Sequence, residues 1–164
     1  MRKLITLFIL ISATLPLAQA QKSRQSSSAA AKIPTVSYCE LIQHPSRYNH
    51  KVVRLKGNLF GGMEVSALED FNCDDNRSIW VEFDDSYKSC TPNEVYTSFR
   101  NIFHPPGNSE MISSHRAEIV AVGKFEVARK FKKTPYAFGN NGFGHMNQSP
   151  YQLTVKCLEQ AKPA

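Results

Sequence analysis

The chain holds too few glycines and prolines, eight and nine among 164 residues, for a repeat built on either. That excludes collagen-like and low-complexity chains, and 10% aromatic residues exclude wholesale disorder. The sequence has no H-E-x-x-H, no G-x-S-x-G and no G-x-x-x-x-G-K-[ST], so zincin, nucleophile-elbow and P-loop chemistry have no basis in it. His44, His50, His104, His115 and His145 are scattered, with no pair at ligand spacing. Asp74-Asp75-Asn76 and Asp84-Asp85 lack the order and closing glutamate of an EF-hand, and turns flanking one strand account for them. The expectation is a chain without metal, cofactor or catalytic residues.

What the chain does carry begins with an export signal. Arg2 and Lys3 precede the apolar run Leu4 to Leu17, and Ala18-Gln19-Ala20 supplies a small-x-small cleavage pattern, so residues 1–20 read as a signal peptide. The run is too short for a membrane span and contains Pro16, so no span is expected after cleavage. The remaining 144 residues hold 18 basic against 14 acidic side chains, enough chain for one core and a mild positive balance. Residues 21–34 (QKSRQSSSAAAKIP) hold one large apolar residue, Ile33, and read as a flexible linker. The domain is expected over 35–160, with 161–164 as a disordered tail.

Two helices and five strands are expected within it. Ser37-Tyr38-Cys39-Glu40 fits a capping box, opening a short helix that stops before Pro45. Lys51 to Phe60 alternates, with Val53, Leu55 and Leu59 on one face. Gly61-Gly62 then joins it to Met63–Leu68 as a hairpin, the glycines supplying positive φ. Ser78 to Phe83 is the third strand. Thr91-Pro92-Asn93-Glu94 places a cap, a first-turn proline and a third-position glutamate ahead of Val95, Tyr96, Phe99, Ile102 and Phe103 at helical spacing. Arg116–Val127 and Tyr151–Leu158 complete the set, the last with Tyr151, Leu153, Val155 and Cys157 on one face.

A helix between the third and fourth of five strands is the layout of an OB-fold barrel. The motifs point the same way. Cys39-Glu40-Leu41-Ile42, Pro45, Tyr48-Asn49-His50-Lys51-Val52-Val53-Arg54 and Gly57 resemble the opening of OB-like domains in small exported bacterial proteins, which read C-E-L, P, Y-[DN]-G-K-x-V-x-[VL]-x-[GA]. Trp80-Val81-Glu82-Phe83 and Gln152-Leu153-Thr154-Val155 match similarly, whereas His50 stands where that pattern has Gly. The resemblance spans about 125 residues and implies a mainly β fold, a five-stranded OB-like barrel with an N-terminal helix and a helix between strands 3 and 4. It also implies export, and it carries over no activity.

Four cysteines in an exported chain, with no C-x-x-C, favour disulfides over zinc. Of three connectivities, Cys39–Cys157 with Cys73–Cys90 is preferred. Cys39 lies on a helix able to cover the end of the last strand, and Cys73 and Cys90 flank the third strand. Four thiols would fit only a reducing compartment.

The segment Ala128–Pro150 joins the last two strands by 23 residues, more than a mere connection needs. It interleaves Arg129, Lys130, Lys132 and Lys133 with Phe131, Tyr136 and Phe138. In an OB barrel this is the loop between strands 4 and 5, one of its ligand-contacting loops. Basic groups can hold an anionic chain while aromatics stack on flat rings. With Arg54, Lys56 and Trp80 on an exposed barrel face, it forms the expected ligand site. A merely solvated loop is the plain alternative. The function read from this is a secreted or periplasmic, non-enzymatic binding module for an anionic or aromatic ligand, an envelope polymer or protein. Export argues against nucleic acid. The rival is an enzyme, or enzyme accessory, acting on envelope polymers, for which Glu64, Glu82 and Asp84 are loose candidates. A structural envelope protein without a ligand is the third reading.

Overall fold

The computed structural model describes residues 32–62, 65–70, 72–73, 77–106, 115–132 and 141–164. The signal-peptide reading, nearly all of the linker and the carboxylates Glu64, Asp74 and Asp75 therefore lie outside the described residues. The fold is mainly β. Its elements are β1 (Thr35–Val36), α1 (Tyr38–Gln43), α2 (Pro45–Tyr48), β2 (Val52–Gly61), β3 (Ser66–Glu69), β4 (Ile79–Phe83), α3 (Tyr87–Cys90), α4 (Asn93–Phe103), β5 (His115–Val127) and β6 (Tyr151–Pro163), with a 3-10 turn at His145–Asn147.

All six strands belong to one sheet, in the order β1-β2-β3-β4-β6-β5, and β2 also pairs with β5. One edge of β2 meets β5 along its whole length; the other meets β1 at Arg54 and Leu55 and β3 from Asn58 to Gly61. The β4–β6 pairing is parallel, whereas β2–β3, β3–β4, β2–β5 and β5–β6 are antiparallel.

The alternation read from the sequence sets the inward face. Residues paired across a ladder point to the same side. Ala117 on β5 pairs with Leu59, Leu59 with Leu68, Leu68 with Ile79, Ile79 with Tyr151, and Tyr151 with Val127 back on β5. The first five of these side chains are buried. Burying a leucine or isoleucine this fully is worth about 1.5–3 kcal/mol, and Leu55, Ile119, Phe125, Leu153 and Val155 extend the same core.

Several local expectations need correction. The carboxy-terminal residues are not a loose tail: β6 runs to Pro163, and Ala161 is buried. Two register shifts between β5 and β6 leave Lys156 and Glu159 as extra, exposed residues, which returns Leu158 and Ala161 to the core side. Pro45 does not merely stop a helix; it opens α2 at its first position. Ser37 caps α1 by accepting from the Glu40 N–H at 3.1 Å, but the Glu40 carboxylate does not reach back. It accepts from Tyr48 Oη and from Arg47 at 3.3 Å instead.

The Thr91 hydroxyl caps nothing on α4; it donates to the Tyr87 carbonyl at 2.7 Å and accepts from Leu158 N–H at 3.0 Å. Neither glycine of the β2–β3 connection has a positive φ. Gly61 is needed for space, because a Cβ there would lie 2.5 Å from the Phe103 ring.

The cysteine pairing is also revised. The bridge joins Cys90 to Cys157, so neither Cys39–Cys157 nor Cys73–Cys90 is formed. The cause is α3, an element not expected from the sequence. It carries Cys90 onto β6, where α1 had been expected to cover Cys157.

Candidate ligand-binding face

The inner residues of each strand fill the core, so any ligand surface lies on the outer parity. Along β2 that parity holds Arg54, Lys56, Asn58 and Phe60. The first two are already engaged. Arg54 makes a two-pronged ion pair with Glu159, both contacts at 2.7 Å. Lys56 and Lys162 lie 3.0 and 2.8 Å from Glu118. These partners hold the Glu159 and Glu118 carboxyls below their ordinary range, with Arg54 acting on the first, and Lys162 and then Lys56 on the second. Six residues of extended chain separate Arg54 from Phe60, about 20 Å. Arg54, towards the far end of β2 from Phe60, and Lys56, in its middle, thus form a charge-paired ladder.

The cross-strand row containing Trp80 is different. Trp80 pairs with Ala67, Ala67 with Phe60, and Phe60 with Arg116. The four side chains share the outer side of four adjacent strands, with a small alanine between two aromatics. The Arg116 guanidinium sits 5.6 Å from the centre of the Phe60 ring, in cation–π range. Phe60 and Arg116 were not among the expected site residues. Phe60 was legible all the same: it is a large aromatic at the polar phase of an alternating strand.

The β5–β6 connection folds onto this row. Gly144, at φ +72°, lies so close that a Cβ would be 2.1 Å from the Trp80 ring. Phe143 and Ser149 bridge the base of the turn, and the Ser149 hydroxyl accepts from Trp80 N–H at 3.2 Å and donates to the Ser78 carbonyl at 2.8 Å. Asn141, Met146 and Asn147 also take positive φ, as does Lys130, so one connection holds most of the left-handed backbone among the described residues. Trp80 Nε1 is buried there without an acceptor among the described residues. Trp80 is therefore covered by glycine rather than open on a bare face.

Of the connection's expected ligand residues, Arg129, Lys130 and Lys132 are exposed and Phe131 is half-buried; Lys133 and Tyr136 lie outside the described residues. Among the described residues, Val65 and Met146, 40% and 37% exposed, are the large apolar side chains left most open. They stand on the two loops next to the row, β2–β3 and β5–β6.

Two of the three loose catalytic candidates, Glu82 and Asp84, lie among the described residues. Glu82 accepts from Gln152 at 2.9 Å, while Asp84, past the end of β4, caps Ser86, whose hydroxyl and N–H lower its pKa. Among the described residues no three His, Cys, Asp or Glu cluster as a metal site, and no helix is long and apolar enough to cross a membrane. Comparison of the chain with protein-family models, with curated proteins and with solved structures finds no match.

Proposed function

We propose that the protein is an exported, non-enzymatic binding module built on an OB-type barrel, and that it holds an anionic ligand bearing flat rings across the outer side of β3 and β4. The strand pairings support the barrel reading. They run β2-β3-β4-β6-β5 and back to β2, and following Ala117 through five ladders returns to β5 at Val127, ten residues along. A closed sheet requires such a stagger. The helix α4 falls between the third and fourth strands of that ring, as in OB folds.

The observation that carries the binding reading is the Phe60–Ala67–Trp80 row lying under the 141–149 turn. OB folds bind oligonucleotides and oligosaccharides on this pair of strands and the two loops beside it. Here those loops are 62–65 and 128–150. The Phe60 ring supplies stacking beside the covered Trp80, and Arg129, Lys130 and Lys132 supply charge. Export favours an envelope polymer over a nucleic acid as the ligand.

Trp80 is the only tryptophan, so its emission reports directly on this face. Titration with a sulfated oligosaccharide is expected to change that emission. Replacing Arg129, Lys130, Lys132 and Lys133 with Ser is expected to weaken binding at least tenfold at low salt, with a smaller loss at high salt, because screening removes the same term. Phe60→Ala is expected to weaken binding with the salt slope unchanged. An emission indifferent to every anionic probe, or affinity untouched in both variants, sinks the proposal.

A further inference from the structure

The turn that covers Trp80 carries the only Asn-Gly step in the chain, Asn141-Gly142. The fold accounts for both residues. Asn141 sits at φ +60°, the left-handed region that asparagine enters more readily than other residues with a side chain. Gly142 is fixed by space: a Cβ on it would run into the Asn147 carbonyl and lie 2.8 Å from the Ser149 carbonyl oxygen. Side by side, the two form a reactive pair. The backbone nitrogen after an asparagine can close a five-membered ring on the side-chain carbonyl carbon, and a Cβ on the following residue is what obstructs that approach. Gly142 has none. Asn141 is exposed, so water reaches its amide, and no hydrogen bond among the described residues takes up the Gly142 N–H. Nucleophile, carbonyl carbon and water are therefore all available in the folded chain.

We propose that Asn141-Gly142 is a self-modifying site, at which the chain deamidates and thereby lifts the 141–149 turn off Trp80. The Gly142 nitrogen gives up its proton and attacks Cγ of Asn141. A C–N bond forms, the Cγ–Nδ2 bond breaks and ammonia leaves, closing a succinimide. Water then opens the ring. Addition at Cγ yields aspartate; addition at the main-chain carbonyl yields isoaspartate, whose backbone runs through Cβ and Cγ. One water is consumed and one ammonia released for each new carboxylic acid, and nothing is oxidised or reduced. The isoaspartyl product lengthens the backbone by one carbon just before Gly142, where the carbonyls of Asn147 and Ser149 leave no room for it. The Phe143–Ser149 bridge and the Gly144 contact with the indole follow directly along the chain, so displacing Gly142 strips the cover from Trp80.

The test incubates the full, folded chain at mildly alkaline pH. Samples are digested under mildly acidic conditions and mapped by mass spectrometry, with fragmentation that separates aspartyl from isoaspartyl residues. Asn141 is expected to lose its amide about tenfold faster than Asn49, Asn58 or Asn101, a barrier lower by about 1.4 kcal/mol, with isoaspartate as the larger product. Trp80 emission is expected to move to the red in step with the conversion. Asn141→Gly, which accepts the positive φ and has no side-chain amide, is expected to keep its emission unchanged over the same incubation. An Asn141 amide that survives in the native chain and is lost only in urea overturns the proposal. So does conversion that leaves Trp80 emission still, or an equal red shift in Asn141→Gly. Should that variant fail to fold, the peptide map and emission of the wild type decide alone.

Discussion

His50 shows what one residue costs when it departs from a pattern. The turn between α2 and β2 holds it at φ +62°, where its N–H donates to the Phe125 carbonyl at 2.8 Å. A side chain in that conformation costs roughly 1–2 kcal/mol, and glycine avoids the cost. The His50 ring partly compensates by reaching Glu126 at 3.2 Å, but that pair is exposed and worth little. His50→Gly is therefore expected to raise stability by about 0.5–1 kcal/mol. Urea unfolding checks it, and a loss of stability refutes the strain account. Gly144 is the converse case, where positive φ and contact with the indole exclude any side chain.

At the scale of elements, two attachments to the ring are of unequal strength. Helix α4 has no fully buried residue; Val95, Phe99, Ile102 and Phe103 are half-buried on one face. Phe83, Phe99 and Phe103 form a chain of tilted rings 4.8–5.2 Å apart that continues through the sheet side of this face. Cys90–Cys157 and the Thr91–Leu158 hydrogen bond pin its leading end to β6.

The attachments of the 141–149 turn among the described residues include Ser149 and the Gly144–Trp80 contact. Gly144→Ala is expected to lift it, shifting Trp80 emission to the red and speeding proteolysis within the turn, while far-UV circular dichroism stays native. Unchanged emission refutes the packing described.

Across the whole molecule, ion pairs cross the outer surface where the aliphatic circle cannot. Glu118, Glu126 and Glu159 have carboxyls held low by Lys162 and Lys56, by Lys124, and by Arg54 respectively. Asp84 is held low by Ser86. Each therefore binds a proton more weakly when folded than when unfolded. The stability they contribute is fully present above the unfolded carboxylate range, about pH 4–4.5, and is lost as pH falls through the lower folded values. Urea midpoints are expected to hold at about pH 6 and drop between about pH 5 and about pH 3, with a shallower drop in Glu118→Gln. A midpoint that stays level through that acid range counts against these pairs.

The rough positions of five of the six strands, the Ser37 cap, the inward residues and the helix after Pro92 were legible in the sequence because each rests on neighbours within a few residues: alternation, a capping hydroxyl, apolar spacing; the two-residue β1 was too short to show. The mainly β fold follows from that pattern. The cysteine partners and the members of the Trp80 row did not follow, since both depend on contacts between distant segments. Cys90 meets Cys157 only because a short unforeseen helix lands on β6, and Phe60 meets Trp80 only through β3 between them. Arg54 and Lys56 shared Phe60's outward phase, and phase alone cannot say which end of a ten-residue strand lies beside β4. Local chemistry determined most of the elements; register, bulges and helix docking decided which of them touch, because those are settled by the packing of the whole sheet.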